Sequence, residues 1–258
     1  MDVLPRQAAD AIVNMAADQM LLEHYPAPDR VRFRPFAWSE PSYTFGVSQA
    51  WAKYRALIPA HFPLVRRCTG GGLVSHLDDW TFALVIPPAH PLFKADAMAT
   101  YAAVHEALLA ALVAQGQPVK LSPVPEGQRE FQAPDACAQR AEPNDLVRSD
   151  DGRKVAGAAQ KRNRHGLLIE GYVWKPFLTG CDWLRFEKDF VTQLGRVLQS
   201  VPVEVAEPTY DLLRLCGELV DHLHDEVTRS PPSSTSSFYH HESLRYWHHK
   251  LICYDTES

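Results

Sequence analysis

Arg66-Arg67-Cys68-Thr69-Gly70-Gly71-Gly72-Leu73-Val74-Ser75-His76 joins two fixed cations, three consecutive glycines and a histidine between apolar runs, Leu64-Val65 before it and Trp80-Thr81-Phe82-Ala83-Leu84-Val85-Ile86 after it. Glycine has no Cβ, so this backbone can adopt positive φ and approach a guest closely, turning N–H groups toward an anion or a carbonyl. Arginine adds a charge that no physiological pH removes. An acyl or phosphoryl group is the natural ligand of such a cradle; the alternative is a plain hairpin turn flanked by surface arginines. Because β-like runs lie on both sides, the glycines read as a loop between strands. Neither GxxxxGK[ST] nor GxGxxG is present, which excludes a P-loop and a dinucleotide fingerprint.

Working outward, Ala8 to about Tyr25 carries Ile12, Met15, Ala16 and Leu22 at helical spacing and is stopped by Pro26 and Pro28. Val31–Phe36 and Tyr43–Val47 predict two strands, and the run 80–86 a buried strand ended by Pro87-Pro88. Tyr101, Val104, Leu108 and Leu112 mark a second amphipathic helix, with His105 and Glu106 expected at the edge of its apolar stripe. Residues 116–145 read as irregular and polar. Arg153–Gln160 and Gly166–Val173 predict paired strands, with Lys161-Arg162-Asn163-Arg164-His165 as their basic connection. Further helices are expected at about 183–200 and 209–225.

The chain has 258 residues, 46% of them hydrophobic and 22% charged, with a formal net charge of -5. That length favours one substantial core. The charge leaves no global footprint for nucleic acid or an anionic membrane surface. Cys68, Cys137, Cys181, Cys216 and Cys253 are odd in number and contain no CxxC pair, so neither a disulfide framework nor a zinc site is expected and a reducing cytoplasm fits best. No export signal opens the chain and no apolar run approaches the ~20 residues that cross a bilayer. Residues 1–228 are read as one catalytic domain. Residues 229–258 are a low-complexity linker (Ser230-Pro231-Pro232-Ser233-Ser234) and a C-terminal segment with no assigned role, whose His240, His241, His248 and His249 lack the carboxylate or thiolate partners of a metal site.

The second chemical element is Gly152-Arg153-Lys154-Val155-Ala156-Gly157-Ala158-Ala159-Gln160. One lysine leaves a turn among residues too small to crowd it. A partly desolvated ammonium there can polarise a carbonyl or stabilise an oxyanion. Cys137 lies upstream in a polar stretch; a cation close by would stabilise its thiolate and make it an acyl acceptor, whereas the ordinary cysteine is a small buried hydrophobe.

Arg66–His76, Asn144-Asp145-Leu146-Val147 and Gly152–Arg162, in that order, resemble the lipoate/biotin protein ligase superfamily, and within it lipoate-protein ligase A and the cysteine-dependent octanoyltransferases of the LipM type. The likeness also takes in Asn14–Asp18 and the segment from Trp38 to Gln49, covering about residues 8–180. It implies an α+β fold, a mixed β-sheet flanked by helices, related to class II aminoacyl-tRNA synthetases and biotin ligases. It also implies a tunnel for an acyl chain. By the same resemblance Arg66, Arg67, Thr69, Gly70, Gly71, Gly72 and His76 wrap the acyl carbonyl or an adenylate phosphate, and Lys154 contacts the reacting carbonyl. Asn144 and Asp145 lie near the polar end, and Gly157 and Ala158 line the tunnel.

Two reactions fit that implication. In the transferase, Cys137 takes an octanoyl group from acyl carrier protein as a thioester and passes it to the target lysine of a lipoyl domain, of a 2-oxoacid dehydrogenase or the glycine cleavage H protein, with no cofactor. In the ligase, ATP and magnesium activate lipoate as an adenylate and no protein nucleophile is used. The presence of Cys137 and the sequence Leu77-Asp78-Asp79-Trp80 after His76 favour the transferase. Gly72 resembles the ligases, and Glu170 stands where a histidine is common before the glycine. Cys181, downstream of the lysine, is a poorer match to a nucleophile, and Cys68 reads as packing. A noncatalytic acyl-binding module of the same fold is the third reading.

Overall fold

The computed structural model describes residues 1–123 and 141–206, together with residue 217. The order is β1 (Asp2–Val3), β2 (Gln7–Ala9), α1 (Ala11–Glu23), β3 (Arg32–Trp38), β4 (Ser42–Phe45), α2 (Trp51–Arg55), β5 (Leu64–Arg66), β6 (Val74–His76) and β7 (Asp79–Ile86). Then follow α3 (Pro91–Lys94), α4 (Ala97–Val113), β8 (Val119–Leu121), β9 (Leu146–Arg148), β10 (Lys154–Asn163), β11 (Gly166–Trp174), a 3-10 turn at Lys175–Phe177, α5 (Trp183–Val197) and β12 (Val203–Glu204).

Nine strands make one mixed sheet in the order β12-β1-β3-β7-β11-β10-β9-β8, with β2 also paired to β3. A second sheet, β5-β4-β6, lies apart from it. This is the expected mixed sheet flanked by helices. Strand β7 shows why it packs on both faces: its residues alternate between two clusters, as a pleat of period two requires. Trp80, Phe82, Leu84 and Ile86 meet α4 and α5, and Ala83 and Val85 meet α1. Helix α5 contributes Phe186, Phe190 and Leu194 at four-residue spacing, and Phe190 stands edge-on to Phe33 with ring centroids 5.6 Å apart. Aspartates cap the three long helices: Asp10 accepts from the Val13 N–H at 2.9 Å, Asp96 from Ala99 at 2.7 Å and Asp182 from Leu184 at 3.1 Å.

Three local expectations are corrected. Residues 116–145 contain β8, an edge strand whose ladder is made by β9 rather than by any local pattern. Strand β10 runs on through Asn163, so the turn into β11 is only Arg164-His165. His105 lies at 0% exposure inside the α4 interface rather than at its edge. The helix expected at 209–225, the segment 229–258 and Cys137 fall outside the described residues.

The glycine stretch is not a hairpin turn, because β5 and β6 do not pair with each other; each pairs with β4, one parallel and one antiparallel. The chain must therefore pass over the end of β4. Gly46, immediately after β4, permits the crossing: a Cβ there would stand 2.2 Å from the Gly71 carbonyl oxygen.

Candidate active site

A cavity of about 450 Å³ opens between the two sheets, a size usual for small-molecule sites. Apolar walls come from Met15, Phe36, Trp38, Val74 and Phe82, while Arg67, Gly70, Gly71 and His76 form one side and Asp145, Lys154 and Ala158 another. Two segments far apart in sequence thus face the same cavity.

Lys154 opens β10 just after the Asp150-Asp151-Gly152 turn, in which Gly152 has φ 72°. Between Lys154 and Ala156 the register against β9 shifts: Lys154 pairs with Val147 and Ala156 with Leu146. Such a bulge re-aims the side chain beside it. The Lys154 ammonium, 6% exposed, lies 2.7 Å from Oδ2 of the fully buried Asp145. Asp145 also accepts the Glu142 N–H at 2.7 Å and the Tyr101 hydroxyl. Gly157 leaves room for this pair: a Cβ there would stand 2.6 Å from Lys154 Cε and 2.7 Å from Nζ. Burial first, and then Asp145, pushes the Tyr101 phenol well above its usual range. A buried cation paired with Asp145, at the rim of an apolar chamber, can stabilise an oxyanion that forms there.

On the opposite wall the two arginines diverge, as adjacent residues at the end of a strand must. Arg67 donates to the carbonyls of Gly70 at 2.6 Å and Gly72 at 2.9 Å and to Thr44 Oγ1 at 3.2 Å. Arg66 turns outward, donates to the carbonyls of Val47 at 2.9 Å and Gln49 at 2.7 Å, and does not line the cavity. Of the three glycines, Gly71 alone has positive φ, at 91°. Gly70 and Gly71 line the cavity; Gly72 is buried behind them. Thr69, also buried, donates to Glu170 from β11 and so ties the loop to the central sheet. Burial raises the Glu170 carboxyl, against the pull of Thr69 and Arg67.

His76 is fixed from three sides. Its Nδ1 donates to Asp79 Oδ2 at 2.7 Å, its Nε2 meets Thr44 Oγ1 at 2.9 Å, and Trp38 stacks on the ring at 3.9 Å. Beneath the cavity, Arg34 donates to Asp18 Oδ1 and Asn14 Oδ1, each at 2.7 Å, anchoring α1 and with it Met15. Burial pushes the Asp18 carboxyl up to about 8, with Arg34 opposing it.

Of the residues expected at the site, Arg67, Gly70, Gly71, His76, Asp145, Lys154 and Ala158 line the one cavity. Thr69, Gly72, Asn144 and Gly157 stand behind that lining, and Arg66 is outside it. Cys137 lies outside the described residues. The other two cysteines considered are poor nucleophiles: burial and the nearby Glu170 raise the Cys68 thiol, and burial with Asp182 raises that of Cys181 to about 11. Sequence reasoning missed the polar roles of Tyr101, His105 and Thr44. Tyr101 was legible only as an apolar helix position, and nothing in the sequence tells which strand end its hydroxyl will meet.

Residues 10–176 match the family model described as Lipoyl protein ligase A/B catalytic domain. Among curated relatives, the chain is 33% identical to Octanoyltransferase LipM of Moorella thermoacetica over 175 residues, 66% of this chain and 63% of that protein. It is 27% identical to Octanoyltransferase LipM of Kyrpidia tusciae, over 63% of this chain and 61% of that one. The chain thus spans less than two thirds of the length of these relatives. Among solved structures it resembles lipoate-protein ligase A bound with ATP, at TM-score 0.65 and 16% identity, over 85% of this chain and 93% of that one. It likewise resembles a bi-partite lipoate protein ligase from Thermoplasma acidophilum, at TM-score 0.65 and 17% identity, over 85% of this chain and 91% of that one. At such identities the structural likeness is one of fold.

Proposed function

The chain belongs to the lipoyl protein ligase A/B catalytic-domain family, and from that membership we propose that it moves an octanoyl group from acyl carrier protein, through a thioester on Cys137, to the target lysine of a lipoyl domain. The observation that carries this reading is the apolar cavity with the buried Lys154–Asp145 pair at 2.7 Å on its wall. The walls suit a saturated chain, and the ammonium suits the carbonyl end. The named octanoyltransferase relatives support the choice of octanoyl group.

In the first half-reaction the Cys137 thiolate attacks the carbonyl of the carrier thioester. The oxyanion that forms is stabilised by the Lys154 ammonium and by backbone N–H groups of the glycine loop; its collapse expels the carrier thiol. In the second, the acceptor amine attacks the Cys137 thioester, the thiolate leaves, and one proton passes to solvent for each amide formed. Arg67 serves by holding the Gly70 and Gly72 carbonyls, which keeps the loop's peptide planes in place.

The test mixes the purified protein with a lipoyl domain and either octanoyl-acyl carrier protein or ATP, magnesium and lipoate, and follows the mass of the domain. Octanoylation without ATP, lost in Cys137→Ser, is expected. Modification that requires ATP and survives Cys137→Ser would replace this reading with an adenylate-forming ligase, for which Lys154 and the glycine loop would face the phosphate. No modification in either mixture by the folded protein would leave an acyl-binding module.

A further inference from the structure

Helix α4 carries two polar side chains four residues apart, Tyr101 half-buried at the cavity and His105 fully buried, and both reach the segment that holds Asp145. Tyr101 Oη accepts the Ala158 N–H of β10 at 2.9 Å, so its single proton is directed to Asp145 Oδ1. His105 Nδ1 stands 2.6 Å from the Asn144 carbonyl oxygen. A carbonyl only accepts, so Nδ1 carries the imidazole proton. The two rings pack on each other with centroids 4.0 Å apart, which fixes the spacing of the two bonds. Asn144 is one of two described non-glycine residues with positive φ, at 66°, a conformation that persists where surroundings impose it.

We propose that Tyr101 and His105 form a two-pronged clamp that positions Asp145, and through it the Lys154 ammonium, for acyl transfer. The inference rests on the role given to Lys154 above. Tyr101 grips the Asp145 carboxylate and ties it to β10, the strand from which Lys154 projects. His105 holds the peptide immediately before Asp145. A carboxylate gripped in this way cannot rotate to follow a mobile lysine, so the lysine is held instead. Burial keeps His105 neutral, pushing it down to about 4, consistent with a fixed N–H donor rather than a titrating group. Both are positioning residues: Tyr101 also lines the cavity, but its hydroxyl is engaged by the Ala158 N–H and Asp145, and His105 is fully buried, so each acts through Asp145 and Lys154.

The test is a double-mutant cycle read in kcat and KM for the acyl donor. Tyr101→Phe keeps the ring stack and removes only the hydroxyl; we expect kcat to fall roughly tenfold, the scale of one hydrogen bond to a charged group, with KM unchanged. In an Asp145→Asn background, measured by single turnover, the same substitution should cost less than about twofold, because the group it acts through is already altered. His105→Phe should behave in the same way. Equal losses in both backgrounds, or a loss carried by KM, would overturn the clamp. Should Tyr101→Phe not fold, 3-fluorotyrosine at position 101 alters the donor with little change of shape, and its effect on kcat must likewise vanish with Asp145→Asn. If the wild-type protein proves to be an ATP-dependent ligase, the transferase reading falls, while the same cycle run on that reaction decides the clamp separately.

Discussion

Replacing Gly157 by alanine tests whether Lys154 must stand where the structure puts it. The new methyl carbon would lie 2.6 Å from Lys154 Cε, 2.7 Å from Nζ and 3.1 Å from Asp145 Oδ1. Unstrained contacts lie at about 3.5–4.0 Å, so the ammonium must retreat by roughly 1 Å. The lysine chain can flex to make that move, but the 2.7 Å pair with the buried Asp145 does not survive it, and breaking a buried pair costs on the order of 3–5 kcal/mol. Misplacement of a reacting group by about 1 Å costs on the order of a hundredfold in rate. Against this, alanine in place of glycine within a strand is worth roughly 0.5–1 kcal/mol to the fold through the lost freedom of the unfolded chain. The expected variant therefore melts below the parent, by roughly 5–15 °C, remains folded at about 25 °C, and transfers octanoyl groups to a lipoyl domain about a hundredfold more slowly. Scanning calorimetry and the mass of the modified domain read the two quantities. Turnover within about threefold of the parent, with unchanged melting, would show that Lys154 need not stand where the structure puts it.

Three further outcomes follow from the same geometry. Burial holds His105 at about 4 against 6.5 for the free imidazole, so between these values the unfolded chain binds a proton that the folded one does not. The stability His105 confers is thus complete above about pH 6.5 and declines as pH falls toward 4, by up to about 3 kcal/mol; His105→Phe should flatten that slope in urea titrations, and an identical slope in both proteins would refute the assignment. Gly171→Ala would place a methyl 2.3 Å from Phe82 Cε1, a ring with no exposure that packs between the core and the cavity; unfolding free energy should fall by about 1–3 kcal/mol, and an unchanged denaturation midpoint would show that the ring shifts toward the cavity to accept it. With both thiols raised, Cys68 and Cys181 should resist alkylation at neutral pH, and Cys68→Ala and Cys181→Ala should still form an acyl thioester with octanoyl-acyl carrier protein; loss of the thioester in Cys181→Ala would move the nucleophile there.

No helix among the described residues is long and apolar enough to cross a membrane. The architecture was largely legible without coordinates, since α1 and α4 carry apolar residues at helical spacing, β7 is a continuous apolar run ended by Pro87, and β11 and α5 stand where a strand and a helix were expected. Strand β8 was not legible, because three residues carry no period of their own and β9 supplies their ladder. At the site, the glycine loop and the lysine turn were visible as chemistry, and the structure places residues of both on the walls of the same cavity. The fate of the two arginines was not visible: identical side chains, adjacent in sequence, end on opposite sides of β5, one binding the loop and the other the segment after β4.

What the sequence determined by itself is thus the set of parts: elements whose signals are local, and two motifs whose glycines and cations read as a cradle for an acyl or phosphoryl group. What only the tertiary structure decided is which polar atoms satisfy one another. The bulge between Lys154 and Ala156, the Asp145 carboxylate set against that lysine, and the Tyr101 and His105 grip from α4 all depend on strand register and helix placement. Register and placement are set by burial summed over the entire core, and a buried hydrogen bond takes whichever partner that packing brings within reach.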